Sequence, residues 1–221
     1  MTTPDAQVKR KRTWILPVVF LLGLIAALLL DDSIDRWIIA TRSPALEIIA
    51  KTCSWFLAWH WLMLGAVVAF LFAWWRQRRD WMRVLCVMMV AASLAGLSAD
   101  FLRGITGRTR PSAAVAQGWY GMRSNTKWLV FQHAYNSFPS GHTSAAAGFA
   151  LPLFFWRRRF APATLSFIFV VASARVWAGA HHLSDVIAGA ALGTLIAFLV
   201  WRRSGAGERL LNAVPRWRER A

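Results

Sequence analysis

The chain has 221 residues, 57% hydrophobic and only 16% charged, yet Lys and Arg number 26 against 10 Asp and Glu, for a formal net charge of +16. The apolar content excludes a disordered chain, and two cysteines exclude a disulfide-stapled miniature domain. A soluble nucleic-acid binder fits the charge but not the 14 Trp, the 14 Phe and the long charge-free runs. The composition points instead to an all-α polytopic membrane protein with its basic residues in loops.

Six charge-free runs follow one another along the chain. They are Thr13–Leu30 (18 residues), Thr52–Trp75 (24), Val84–Ala99 (16), Thr143–Trp156 (14), Phe160–Ala174 (15) and Val186–Trp201 (16). A spanning helix needs about 20 mostly apolar residues. The first two runs qualify outright, and the other four do so once their flanking polar residues are counted. A six-transmembrane-helix bundle is expected, with spans at 13–31, 54–75, 81–102, 141–157, 160–179 and 182–202 in a single domain over 1–221.

The first run follows Lys9–Arg12 as a signal peptide would. It is long, however, and Asp31-Asp32 follows it with no small-residue cleavage pattern, so a retained signal-anchor is expected. Residues 32–51 mix Trp37, Ile38, Ile39, Leu46, Ile48 and Ile49 with charges and read as an amphipathic interfacial segment. Cys53 and Cys86 read as small apolar residues. The longest loop, 103–140, carries Gly, Pro, Ser and Asn throughout and is the expected active-site loop. The basic tail after Arg203 is expected on the inner membrane surface. With both termini in the cytoplasm, the inner side carries 17 of the 26 basic residues and a net +13, against +3 outside, which satisfies the positive-inside rule.

Polar residues crowd the outer ends of the spans. Asp100 and Arg103 end the third, Ser140, Gly141 and His142 begin the fourth, Arg175 interrupts the fifth, and His181, His182 and Asp185 begin the sixth. Ionisable groups at that depth are costly and face a bundle interior or a wet cavity, and all of these fall on one side of the membrane. Arg103, Arg110 and Arg175 outnumber the nearby acids Asp100 and Asp185. An excess of recessed guanidinium asks for an anion, and the fork geometry suits phosphate. Ser140-Gly141 at a helix start adds a hydroxyl and free amides. His181 and Asp185 stand four apart, so a carboxylate can hold one ring nitrogen and leave the other as a nucleophile, with His142 as proton carrier. His182 reads as a bystander, His60 as a packing residue and His133 as non-catalytic. Asp100 and Arg103 are expected to pair, and Arg108, Arg123 and Lys127 read as solvated loop charges.

Three segments carry a family resemblance. They are Arg103-Gly-Ile-Thr-Gly-Arg-Thr-Arg110-Pro111, then Pro139-Ser140-Gly141-His142, then Arg175-Val-Trp-Ala-Gly-Ala-His181-His-Leu-Ser-Asp185. In order and internal spacing they resemble the type 2 phosphatidic acid phosphatase superfamily. Two positions depart from its pattern: Arg103 stands where Lys is usual, and Ala174 where Ser is usual. The resemblance implies that His181 attacks phosphorus to form a phosphohistidine and that Asp185 orients it. His142 would protonate the leaving oxygen and then activate water. Arg103, Arg110, Arg175, Ser140 and Gly141 would bind the phosphoryl oxygens, with no metal and no cofactor.

The expected function is therefore a metal-independent integral-membrane phosphatase acting on a lipid phosphate or diphosphate. Undecaprenyl diphosphate and phosphatidate-type lipids lead as substrates, and lipid A 1-phosphate is a third. The expected setting is a bacterial inner membrane, with the site facing the periplasm, the bilayer as partner, and neither nucleic acid nor an obligate protein partner. A lipid phosphotransferase using the same site is the alternative. A non-enzymatic transporter is disfavoured, because six spans are few and no inverted repeat or broken-helix pair is visible.

Overall fold

The structure, a computed structural model, describes residues 15–130 and 132–205. The basic cluster Lys9–Arg12, the first two residues of the expected first span and the basic tail lie outside the described residues. Seven α-helices make up the body: α1 (Ile15–Thr41), α2 (Pro44–Phe56), α3 (Trp59–Trp75), α4 (Arg79–Thr106), α5 (Gly141–Trp156), α6 (Ala161–Trp177) and α7 (Leu183–Arg203). Between α4 and α5 lie a two-stranded antiparallel hairpin, β1 (Arg123–Ser124) with β2 (Lys127–Trp128), and a short 3-10 turn, His133–Tyr135.

Four helical segments are long and apolar enough to cross a membrane: Pro17–Thr41, Arg79–Thr106, Arg158–Trp177 and Leu183–Arg203. A fifth exists if α2 and α3, bent by 47° at their junction, form one span. The expectation of six is thus not confirmed by helix length and composition among the described residues. The shortfall is α5, whose 16 residues cover about 24 Å at 1.5 Å per residue, less than the roughly 30 Å hydrocarbon core. The chain is an integral membrane protein of helical architecture.

Two expected boundaries are corrected. The first helix does not stop near residue 31 but runs through Asp31, Asp32 and Asp35 to Thr41. It can do so because Asp31 and Asp35 are held by partners from elsewhere in the fold. The amphipathic segment expected over 32–51 is therefore divided between the end of α1 and α2, which Ser43 caps by accepting from the Leu46 amide. The second expected span is broken at Leu57–Ala58, where Ala58 turns extended and starts α3 without a side-chain cap.

The most extensive packing sets α5 against α4 and α7. Small residues permit it. A Cβ on Gly148 would stand 2.7 Å from the Ala91 carbonyl oxygen, and one on Gly189 2.5 Å from that of Ser140. Ala91, Ala92, Ala95 and Ala99 on α4 and Ala145 to Ala147 on α5 are buried in the same seam. With apolar lipid outside, helices gain by close backbone approach rather than by hiding large side chains, and the large apolar residues face outward. The central place of α5 fixes its first turn at the point where the ends of α4, α6 and α7 meet.

Candidate active site

Each expected side chain is carried by the end of an element. Asp100 and Arg103 lie on the last turns of α4, Arg110 on the following loop, Gly141 and His142 on the first turn of α5, Arg175 near the end of α6, and Asp185 on the first turn of α7. The α4 end is sharp because Gly107 takes the left-handed conformation (φ 57°) against Gly121, where any Cβ would collide with the Gly121 carbonyl. The starts of α5 and α7 are tied together by the Ser140 amide donating to the Asp185 carbonyl at 2.9 Å. The Ser140 hydroxyl is taken up in capping α5, accepting from the Thr143 hydroxyl at 3.1 Å and the Thr143 amide at 3.5 Å.

Three guanidiniums crowd one place. Arg103 lies over Gly141, where an added Cβ would stand 3.1 Å from Nη2 and 3.2 Å from Cζ. Arg103 also pairs with Asp100, as expected for residues three apart. The Nε groups of Arg103, Arg110 and Arg175 are buried with no hydrogen-bond partner among the described residues. Burial, then the charges of Arg175 and Arg103, push Arg110 down to about 10 against the opposing pull of Asp185. Buried donors without acceptors are expensive, and a bound anion would relieve that cost in this cluster. His142 lies within reach of the charges of Arg175, His181, Arg103 and Arg110. The expected residues Arg103, Arg110, Arg175, His142, His181 and Asp185 are thus one electrostatic cluster.

His181 is fully buried. Its Nδ1 lies 2.8 Å from the Ser137 carbonyl oxygen, which can only accept. Nδ1 therefore carries the proton, and Nε2 bears the lone pair. Nε2 is buried with no partner among the described residues. Burial brings the His181 imidazolium down to about 4; Asp185 opposes that shift, while Arg175 and Arg110 add to it. The ring is neutral near pH 7. Asp185 does not hold Nδ1 directly, as i, i+4 spacing suggested, but stands 3.6 Å away. Its Oδ2 instead accepts from the Ser137 hydroxyl at 2.5 Å and the His182 amide at 2.9 Å. The carboxylate orients the segment that orients the histidine.

Two expectations about neighbouring residues are overturned. Arg108 is not a solvated loop charge; it is buried and reaches Asp31 (2.7 Å), Ser184 (2.6 Å) and Asp185 (2.6 Å), stacked over Trp119. His182 is not an idle neighbour; its Nδ1 lies 2.5 Å from Asp35 and its Nε2 3.0 Å from the Thr109 carbonyl. Burial lowers its affinity for a proton, but Asp35 and Asp185 outweigh this and the net shift is upward. Asp31, Asp35, Ser137 and Ser184 were not singled out in the sequence. The available signal was the four-residue spacing of Asp31 and Asp35, which puts both on one face of α1. His133, Arg123 and Lys127 are exposed, and Arg110 foremost pushes the His133 imidazolium down. His60 packs against Trp55 and Trp61.

A cavity of about 460 Å³ opens beside this cluster between α3, α4 and α5. Asp100, Arg103 and His142 line one part of it, and Trp59, Gly96, Leu97 and Ala145 another. It joins charged groups to an apolar wall in one groove.

The chain is similar to several known proteins. The chain is 29% identical over 159 residues to the bacitracin transport permease protein BcrC of Bacillus licheniformis, covering 72% of this chain and 70% of that one. It is 35% identical over 114 residues to a lipid A 1-phosphatase of Rhizobium etli, covering 50% of this chain and just under half, 47%, of that one. Two solved structures share the fold at 20% identity. Aquifex aeolicus LpxE has a TM-score of 0.57 over 78% of this chain and 95% of that one. A transmembrane PAP2 type phosphatidylglycerolphosphate phosphatase of Bacillus subtilis has 0.55 over 91% and 98%. The family model of the PAP2 superfamily matches residues 81–208, from α4 to beyond α7. α1 to α3 lie before that match, and the chain belongs to the PAP2 superfamily.

Proposed function

We propose that this protein is an integral-membrane phosphatase that removes phosphate from a lipid phosphate or diphosphate through a phosphohistidine on His181. The observation that carries the reading is the buried Nε2 of a neutral His181, without a partner among the described residues, beside three arginines whose Nε groups are likewise buried and unpartnered there. An anion drawn to Arg103, Arg110 and Arg175 presents its phosphorus to that lone pair. The guanidiniums meet charge on the equatorial oxygens as the P–O bond to the lipid breaks. Protonated His142, its charge offset by the bound phosphate, gives its proton to the departing oxygen and becomes neutral. It then takes a proton from water, which attacks the phosphohistidine, frees inorganic phosphate and restores His181. The roles of Asp185, Ser140 and Gly141 in this scheme are to set the geometry of the two helix starts. The positive charge comes from arginine, so the scheme needs no metal.

A lipid substrate is favoured by the groove between α3, α4 and α5, whose apolar wall adjoins the arginines. The lipid A 1-phosphatase relatives point the same way. Undecaprenyl diphosphate, phosphatidate-type lipids and lipid A 1-phosphate are the candidates. Six membrane crossings, with α5 as a short buried one, would put both termini in the cytoplasm and the site on the periplasmic face of a bacterial inner membrane. The test offers a panel of these lipid phosphates to purified protein in detergent and follows phosphate release for each. Release that stops in His181→Ala supports the reading. Transfer to a second lipid without free phosphate makes the enzyme a phosphotransferase. Lipid or anion flux unaffected by His181→Ala would replace the enzyme with a transporter, the role named for the BcrC relative.

A further inference from the structure

We infer that Asp31 of α1 is a positioning residue of the active site, acting on His181 through a buried chain of hydrogen bonds. The inference rests on the proposed role of His181 as nucleophile. Asp31 Oδ2 accepts from Arg108 Nη2 at 2.7 Å, and Arg108 Nη1 donates to Asp185 Oδ1 at 2.6 Å. Asp185 Oδ2 accepts from the Ser137 hydroxyl at 2.5 Å, and the Ser137 carbonyl holds His181 Nδ1 at 2.8 Å. No link is longer than a normal hydrogen bond, and Asp31, Arg108, Ser137, His181 and Asp185 are all buried. The segment that begins the chain of bonds lies before the residues that the family model matches.

Asp31 does more than neutralise Arg108. Its Oδ1 accepts the Ser184 amide at 3.0 Å and its Oδ2 the Ser184 hydroxyl at 2.5 Å, so a carboxylate from α1 completes the N-terminus of α7. One turn later Asp35 takes His182 Nδ1 at 2.5 Å. The planar fork of Arg108 binds Asp31 on one nitrogen and Asp185 on the other, which fixes the Asp185 carboxylate in rotation as well as in distance. With that carboxylate free to turn, Ser137 and then the His181 ring lose their registry with the bound phosphate. The phosphate arginines on α4, the loop and α6 take no part in this chain. The expected signature is a defect in the chemical step with substrate binding retained.

The test uses full-length protein in detergent and a lipid phosphate that the wild type hydrolyses. Asp31→Asn should lower kcat by on the order of 10–100-fold while KM stays within about twofold. In a Ser137→Ala background, which removes the hydroxyl link, the same substitution should lower kcat by less than about twofold more. A purely structural role predicts the opposite: equal losses in both backgrounds, or a KM defect matching the kcat defect. Either result, or an unchanged kcat, overturns the inference. If Asp31→Asn does not accumulate folded, Arg108→Lys keeps the charge, loses the fork and carries the same two-background comparison. A wild type inactive on every lipid phosphate, or as active as His181→Ala, rejects the proposed function itself. An active, His181-dependent wild type with a normal Asp31→Asn rejects only the positioning role.

Discussion

The ring of His181 is held by the main chain of Ser137, not by a carboxylate: Nδ1 meets the Ser137 carbonyl oxygen at 2.8 Å, and Asp185 stands 3.6 Å off. A carbonyl cannot donate, so this contact sets the tautomer without help from charge. It leaves Nε2 with its lone pair, buried and without a partner among the described residues, as the proposed nucleophile requires. His181→Ala is expected to cut phosphate release by on the order of 10³-fold or more while the protein still inserts in membranes. Membrane fractionation and a phosphate assay check both parts. Wild-type turnover in this variant would end the phosphohistidine scheme.

In the proposed scheme Arg103, Arg110 and Arg175 supply the positive charge that a divalent ion supplies in metal-dependent phosphoryl transfer. Activity on a lipid phosphate is expected to persist in excess chelator. Loss of activity that added magnesium restores would show that a metal takes part.

Gly141 gives Arg103 its place, since a Cβ there would stand 3.1 Å from the guanidinium. Gly141→Ala should move Arg103 by a few tenths of an ångström and lower kcat/KM by about tenfold, with thermal stability near wild type. Gly193→Ala makes a contrast. Its Cβ would stand 2.7 Å from the Ala147 Cβ and press on the Ser144 carbonyl, both in the α5–α7 seam. That variant should lose about 1–3 kcal/mol or more of stability, read as a drop in melting temperature. If Gly141→Ala leaves kcat/KM unchanged, Arg103 does not touch the reacting phosphate.

Two adjacent histidines are shifted in opposite directions by their surroundings. The folded His181 sits at about 4, below its ordinary value, so the stability tied to its neutral form is present above about 6.5 and is lost as pH falls toward 4. His182 is shifted upward against the pull of burial by Asp35 and Asp185. Its contribution is fully present below about pH 6.5 and is lost as pH rises through the raised value. Melting temperatures across about pH 6 to 9 should fall in the wild type and fall less in Asp35→Asn. Equal slopes would show that the Asp35 contact does not set the charge of His182.

The membrane class and the positions of most helices were legible because each left a local mark. Charge-free runs mark helices in lipid whatever their neighbours, and the phosphate motifs keep fixed spacings along the chain. The length of α1 was not legible. A run that meets Asp31, Asp32 and Asp35 looks finished, and only Arg108, Ser184 and His182 arriving from 77 to 153 residues away let it continue. The break between α2 and α3 was equally silent, since Leu57–Ala58 carries no glycine, proline or charge.

The sequence by itself determined that this chain lives in a membrane and that it carries arginines and histidines, in a pattern that suits phosphate, near the ends of its helices. Only the tertiary structure decided which arginines keep a buried donor free and which hold the protein together. Arg108 and Arg110 stand two residues apart and look alike in the sequence. One is consumed by Asp31 and Asp185, and the other keeps a buried Nε with no partner among the described residues. The difference lies in which carboxylates the packing of α1 and α7 brings within reach. Burial makes such pairing all-or-none, because a guanidinium out of water must either find an anion in the protein or wait for one from outside.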